Sequence, residues 1–172
     1  MTNRHRDFLP ISLGVFALVA LYAVANDQII ATVSPDHFLV YHPRYFPFDN
    51  VRWQALCFSL VATGGPGFGW GILLYWVGHY GPGPVFGRRA TVLGAAVVVL
   101  VTATAAWGSG WWVTRLSEPF YPAFFFPSED PKLYFSQTVQ LTNYIVGLTG
   151  AIAWLAAIVI WRRRGLPPPN ET

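Results

Sequence analysis

Long apolar runs alternate with short polar connections along most of the chain. Four runs carry few charged residues, and they cover 8–30, 53–79, 90–113 and 135–161. About 20 apolar residues, at a rise of 1.5 Å per residue, cross a hydrocarbon core about 30 Å thick. The pattern therefore predicts one all-α membrane domain, an up-down bundle of four transmembrane helices. Short aromatic loops are expected at one end of the bundle, and a flexible tail over 165–172.

Composition supports this architecture and excludes other classes. Hydrophobic residues make up 53% of the 172 residues and charged residues 11%, whereas a soluble domain carries about 25% charged residues. The net charge of +3 comes from residues at the ends of the runs, which form no continuous basic face, so nucleic-acid binding is not predicted. The single cysteine, Cys57, excludes an internal disulfide and disulfide-exchange chemistry.

Lysine and arginine are divided unequally between the two sides of the predicted membrane. One side holds Arg4, Arg6, Arg88, Arg89, Arg162, Arg163 and Arg164, and the other holds Arg44, Arg52, Arg115 and Lys132. The richer side is predicted to be cytoplasmic, which places both termini there in a multi-pass protein of the cell inner membrane. The last three arginines of the richer side are predicted to anchor the end of the fourth span.

The first run has two interpretations. Basic residues in 3–6, an apolar stretch over 9–22 and small residues at 23–25 also match a cleaved signal peptide. We interpret the run as a retained first helix and keep the cleaved leader as the alternative. The orientation of the remaining spans is the same in both cases.

Gly65, Pro66 and Gly67 interrupt the second run near its middle. Proline removes a backbone donor and disfavours helical geometry in the residue before it, so a helix break or kink is predicted. Gly69 and Gly71 extend two tracks of glycines spaced four apart, which allow close helix packing. A transport hinge and a static kink both fit this pattern. We favour the static kink because no ionisable residue accompanies it.

Polar side chains concentrate in the half of the bundle predicted to face outward. Gln140 and Asn143 share one face of the fourth helix, and that face should point inward because amides are costly in lipid. Asp27, at the end of the first span, is predicted to approach one of these amides. The candidate polar patch comprises Asp27, Gln28, Asp36, His37, Gln140 and Asn143.

The connection after the first run has a distinctive pattern. The β-branched residues in 28–33 favour an extended segment. Ser-Pro-Asp at 34–36 then predicts a short helix over about 35–40, since serine caps helices and proline suits their first turn.

The motif Asp-Gln-Ile at 27–29, followed by Ser-Pro-Asp-His-Phe at 34–38, resembles a family of small, uncharacterised bacterial four-helix inner-membrane proteins. In their usual pattern Glu and Tyr stand where this chain has Asp36 and His37. The resemblance covers roughly 27–46 and the four-helix plan. It implies a bacterial inner membrane and no particular activity.

Metal, haem and catalytic sites are not predicted, and neither is a cofactor. His37, His42, Asp36 and Asp49 are suitable metal ligands by type, but their spacing is loose. His79 lies at the other end of a span, about 30 Å away, and cannot share a haem iron with the first two. The runs contain no nucleophile motif and no pair of carboxylates.

The favoured function is that of an accessory or structural component in a membrane assembly. The alternative is a small proton- or cation-coupled transporter or channel that acts as an oligomer, because one acid, Asp27, lies at membrane depth. The expected partners are the lipid bilayer and either another membrane protein or a second copy of the chain.

Overall fold

The computed structural model describes residues 4–42, 47, 49–81, 83–116 and 118–165. Within these ranges the chain is helical without strands, in the order α1 (Phe8–Val33), α2 (Asp36–Leu39), α3 (Val51–His79), α4 (Arg88–Leu116) and α5 (Pro131–Arg163). Short 3₁₀ turns lie at Arg4–Asp7 and Ala123–Phe125. The helices α1, α3, α4 and α5 are long and apolar enough to cross a membrane, which confirms the prediction of four long apolar helices. The predicted tail lies outside the described residues beyond position 165.

Local capping signals set the start of two long helices. The Asn50 side chain accepts from the backbone N–H of Arg52 at 2.8 Å, and that of Asp130 accepts from Lys132 at 2.9 Å. Both satisfy donors that a helix start leaves free. Pro131 occupies the first turn of α5, where a missing N–H does no harm. These signals extend the helices a few residues beyond the apolar runs.

Residues 28–33 are helical, so the predicted extended segment is wrong. Ile30 and Ala31 are buried in an apolar core, and the Thr32 hydroxyl donates to the carbonyl of Gln28 at 2.9 Å. Burial on one helical face outweighs the strand preference of the β-branched side chains. The helix ends just before Pro35, and α2 follows where a short helix is predicted.

Helix α1 packs mainly on α3, along one of the two glycine tracks. A Cβ on Gly71 would lie 2.7 Å from the backbone of Ser12, and one on Gly67 would lie 3.4 Å from the nearest side chain of α1. At Gly65 and Gly69, an added Cβ would meet nothing within 4 Å. One track therefore builds the interface, and the other faces open space.

The helix break predicted at Gly65, Pro66 and Gly67 does not occur, because α3 is helical from Val51 to His79 with Pro66 inside it. Proline leaves the carbonyl one turn earlier without its usual donor. Membrane helices tolerate such positions where neighbouring helices and hydroxyl groups compensate. Close contact with α1 at Gly67 supports the helix here.

Helix α4 packs mainly on α5, again over glycines. The ring of Trp154 lies across Gly94, where an added Cβ would overlap it. On α5, a Cβ at Gly150 would lie 2.8 Å from Val98. Small residues thus bring the second pair of helices together as they do the first.

Two apolar cores lie at opposite ends of the bundle. The core beside α2 contains Ile30, Ala31, Phe38, Ala55, Phe58, Ala106, Val113, Phe135 and Val139. The other contains Ile11, Val15, Leu74, Tyr75, Phe86, Ala95 and Ile158. We call the first the His37 end and the second the Arg162 end, after a buried polar residue near each.

Arg162 is buried, 5% exposed, whereas Arg163 and Arg164 are exposed. The first of the three predicted anchor residues therefore has a structural role. Its guanidinium donates to the carbonyls of Val77 (2.5 Å), Tyr80, Gly81 (3.1 Å), Gly83 (3.4 Å) and Pro84 (2.9 Å). The planar fork of N–H donors suits carbonyls at the negative end of a helix dipole. Arg162 thereby ties the last turn of α5 to the α3–α4 turn.

Candidate ligand-binding cavity

A cavity of about 650 Å³ lies between the two helix pairs and is lined by α1, α3, α4 and α5. Pockets for small molecules measure about 300–1,000 Å³ and are mostly apolar with a few placed polar groups. The walls fit that description. The polar residues among them are Tyr22, Asn26, Asp27, Ser59, Thr63, Trp70, Thr102, Gln140, Asn143 and Tyr144.

Asp27 is the charged residue of the cavity wall, and it is only 3% exposed. The Ser59 hydroxyl donates to its Oδ2 at 2.8 Å, and Asn26 Nδ2 donates to its Oδ1 at 3.0 Å. Among the described residues, no lysine, arginine or histidine lies within ion-pair distance of this carboxyl group. The group has hydrogen-bond donors but no positive charge beside it.

Some polar atoms along the cavity wall lack a hydrogen-bond partner in the described part of the chain. They are Asn26 Oδ1, Gln140 Nε2 and Trp70 Nε1. Asn26 is 3% exposed and Gln140 6%, so water does not reach them freely. An unpaired buried polar group costs about 1–3 kcal/mol, and native structures usually satisfy such groups. The described residues therefore leave these three atoms unsatisfied in or beside the cavity wall.

Three residues of the predicted patch, Asp27, Gln140 and Asn143, line this one cavity. The predicted approach of Asp27 to an amide of α5 takes the form of a shared cavity wall, and among the described residues no hydrogen bond joins them. Instead, the Tyr22 hydroxyl donates to Asn143 Oδ1 at 2.7 Å, and Asp27 bonds Ser59. The cavity brings the groups together without pairing them.

Polarity changes along the length of the cavity. Asp27 lies about 9 Å from the end of α1, and Ser59 and Gln140 lie about 12–14 Å from the starts of their helices, at a rise of 1.5 Å per residue. All three distances are measured from the His37 end. Toward the Arg162 end the wall is lined by Leu73, Val98, Val99, Ala151, Ile152 and Leu155. The cavity is therefore amphipathic, with a polar part and an apolar part.

The cavity is open between α3 and α5. Leu73 on α3 and Tyr144, Leu148 and Ile152 on α5 line it and are also exposed. In a membrane these side chains would face the hydrocarbon region. A lipid-soluble molecule could therefore enter from the bilayer without passing through water.

The other three residues of the predicted patch lie elsewhere. Gln28 Nε2 donates to the carbonyl of Arg52 at 2.9 Å, and Arg52 Nη1 donates to the carbonyl of Gln28 at 2.5 Å, which fixes α1 to the start of α3. Asp36 is exposed. His37 is buried in a separate cluster below α2. The patch predicted as one unit is therefore divided.

The His37 cluster joins α2 to α5. Ser136 Oγ lies 3.1 Å from His37 Nδ1 and 3.2 Å from the carbonyl oxygen of Leu133. His37 Nε2 lies 3.1 Å from His42 Nε2. The His42 ring stacks on Phe58 at 4.4 Å, and Phe58 lines the cavity. The cluster thus closes the His37 end behind the cavity wall.

Burial, with a smaller effect of the neighbouring His42, lowers the pKa of His37 to about 3. Burial also lowers the pKa of His42. Both rings are therefore expected to be neutral near pH 7. In the described ranges, no group of three or more His, Cys, Asp or Glu side chains could hold a metal ion.

At the Arg162 end, another polar cluster lies outside the cavity. His79 Nε2 lies 3.4 Å from Asp7 Oδ2, and its Nδ1 lies 3.2 Å from the carbonyl of Tyr75. Arg88 Nη1 lies 3.8 Å from Asp7 Oδ1. These contacts connect the start of α1 with the end of α3 and the start of α4.

Sequence reasoning missed Tyr22, Asn26 and Ser59 as parts of the site. A helical signal existed for the first two, since residues four apart share a face, and Tyr22 and Asn26 are spaced in that way. No comparable signal identifies Ser59. Its position opposite Asp27 depends on the register of α1 against α3.

Comparisons with known proteins identify no relative of the chain: no family model, no curated protein and no solved structure matches it.

Proposed function

We propose that this protein binds a lipid-soluble amphiphile in the cavity between its helix pairs. The observation that carries the proposal is a pair of amide atoms, Asn26 Oδ1 and Gln140 Nε2, that have no hydrogen-bond partner among the described residues and belong to the wall of a mostly apolar cavity. A molecule with a polar head and a hydrocarbon chain would satisfy the amides and fill the apolar part.

We further propose that binding serves an accessory role in a membrane assembly rather than catalysis. The nearest arrangement to a nucleophile with a base is Ser136 with His37, and both side chains are fully buried. A substrate could not reach them in this conformation. Exposed apolar side chains on α4 and α5, such as Leu100 and Ile145, leave faces that lipid or a partner helix would cover.

The proposed setting is a bacterial inner membrane, with the four long helices arranged up and down and both termini in the cytoplasm. The arginine distribution supports this orientation. Reporter fusions after Arg164 and within the 118–130 connection would test it. Cytoplasmic signals from both fusions would exclude the proposed orientation.

The binding proposal is tested by filling the cavity from a position where a side chain has room. Gly69 lines the cavity, and a Cβ there meets nothing within 4 Å. Gly65, one turn earlier, is equally open but does not line the cavity. Gly69→Leu should therefore displace the ligand, and Gly65→Leu is the matched control.

The measurement is mass spectrometry of the lipids extracted from each protein after purification from native membranes in mild detergent. Wild type and Gly65→Leu should retain one enriched amphiphile, which Gly69→Leu should lose. The same lipid content in all three preparations would overturn the proposal. A stoichiometric protein partner in the wild-type preparation would support the accessory role.

The second candidate function is a proton- or cation-coupled transporter that acts as an oligomer. It is favoured by one observation, a buried acid at membrane depth in a cavity wall, since such residues mark many ion pathways. Liposome flux of protons or cations through the wild type should then fall in Asp27→Asn. Flux that is absent, or unchanged by this substitution, would reject transport.

A further inference from the structure

Asp27 raises a question of charge balance inside the proposed binding cavity. An ionised carboxylate in the interior of a membrane protein needs a cation close to it or must take up a proton. The described residues place Ser59 and Asn26 beside it and no basic side chain. A positively charged ligand would supply the missing charge.

The neighbouring atoms specify the rest of the head group. Asn26 Nδ2 donates to Asp27, and within the described part of the chain its Oδ1 is an acceptor without a donor. In the same part of the chain Gln140 Nε2, from α5 in the same cavity, is a donor without an acceptor. An ammonium group has N–H donors for the first amide, and a hydroxyl oxygen could accept from the second.

We propose that the ligand is a long-chain amine whose head group also carries a hydroxyl. This inference rests on the binding function proposed above. The ammonium lies against Asp27 and Asn26, and the hydroxyl oxygen accepts from Gln140. The hydrocarbon chain extends toward the Arg162 end, past Leu73 and Leu155. A fatty acid would bring a second negative charge to Asp27, and a simple alcohol would leave the carboxylate unbalanced.

Four probes with equal chain length test the assignment on the wild-type protein. They are 2-aminododecan-1-ol, dodecylamine, 1-dodecanol and dodecanoic acid, and occupancy is measured by native mass spectrometry from nanodiscs. A hydrogen bond to a charged group is worth enough to change affinity by about 10-fold or more. The amino alcohol and the amine should therefore bind at least about 10-fold more tightly than the alcohol, and the acid should bind most weakly.

Two variants separate the contributions of the charge and the amide. In Asp27→Asn the amine and the alcohol should bind equally, within about 2-fold. In the wild type the amino alcohol should bind a few-fold more tightly than the amine, because its hydroxyl also accepts from Gln140. In Gln140→Leu the amine should keep its preference over the alcohol, and the amino alcohol should lose that few-fold advantage. The control is Asp7→Asn, which removes an acid at the Arg162 end, outside the cavity, and should leave all four affinities unchanged.

The outcomes distinguish this inference from the function on which it rests. Equal binding of the four probes by the wild type, blocked by Gly69→Leu, would overturn the amine assignment and keep the cavity as a binding site. An absence of binding for all four, with no lipid lost in Gly69→Leu, would overturn both. The affinities of the wild-type protein for the four probes test the amine assignment even if Asp27→Asn does not fold.

Discussion

Arg162 and Asp27 are both buried charged residues on membrane-spanning helices, 5% and 3% exposed, but their surroundings differ. All three nitrogens of the Arg162 guanidinium donate to backbone carbonyls of the end of α3 and the α3–α4 turn. Asp27 receives two hydrogen bonds, faces a cavity and lies beside an amide with an unpaired oxygen.

The difference between these residues indicates two roles for a buried charge. Where the protein itself supplies every partner, as around Arg162, the charge holds elements together. Where the described residues supply no cation and a cavity adjoins the carboxylate, as around Asp27, the arrangement fits the binding function proposed above. Function is expected at the second kind of position, and stability at the first.

The largest effect on stability is expected from replacing Arg162, the buried charge whose hydrogen-bond partners are all supplied by the protein. Arg162→Met should lower the free energy of unfolding by about 3 kcal/mol or more, because the buried guanidinium donates several hydrogen bonds and a hydrogen bond to a charged group is worth about 1.5–3 kcal/mol. Unfolding in detergent by heat or by titration with dodecyl sulfate measures this. Arg163→Met, at the exposed neighbouring residue, is the control and should change stability by less than about 0.5 kcal/mol. Equal effects of the two substitutions would contradict the structural role of Arg162.

An intermediate effect is expected at the His37 end, where a buried titratable group is neutral rather than charged. The pKa of His37 is about 3 in the folded protein, against an ordinary value of 6.5. The unfolded state therefore binds the proton more readily between these values, and stability falls as pH is lowered through this window. One such group contributes a slope of up to about 1.4 kcal/mol per pH unit.

Unfolding measured at several pH values between 4 and 7.5 tests this histidine effect. His37→Gln should lower stability at pH 7.5, where the hydrogen bonds to Ser136 and His42 are complete in the wild type. It should also make stability less dependent on pH. Parallel pH profiles of the two proteins would show that His37 does not titrate on unfolding. Carboxyl groups and His42, whose pKa is also lowered by burial, titrate in both proteins, so part of the pH dependence should remain in His37→Gln.

The smallest effect on stability is expected from neutralising Asp27. Asp27→Asn keeps the shape of the side chain and removes a charge without a cation beside it, so the ligand-free protein should change by less than about 1 kcal/mol, with stabilisation the expected sign. The same unfolding assay applies, after extraction of bound lipid. A loss as large as that of Arg162→Met would make Asp27 a structural charge and end the contrast between the two residues.

The sequence predicts the spans well and the contacts between them poorly. Length and apolarity of a run are local properties, so the four membrane helices could be predicted. The pairing of Asp27 with Ser59 depends on the register between α1 and α3, which close packing of Gly71 on Ser12 helps to set. No single run contains that information.

Backbone partners are equally hard to infer. Arg162 stands in a run of three arginines, a pattern that predicts a membrane anchor. Its partners in the structure are backbone carbonyl groups, which exist at every position and therefore give no signal in the sequence. Likewise, the β-branched residues of 28–33 favour a strand when taken alone. In the folded protein, burial of Ile30 and Ala31 stabilises a helix instead.

The contact made by Arg162 also bears on the order in which the protein assembles. Helices α1 and α3 are consecutive spans, as are α4 and α5, so each pair can form soon after its second member enters the membrane. The α3–α4 turn belongs to the early part of the chain, yet it receives its guanidinium from the last turn of α5. We therefore expect the α3–α4 turn, which follows the first helix pair, to lack its hydrogen bonds from Arg162 until the final span is inserted. A nascent chain arrested before Arg162 should remain open to proteolysis at that turn.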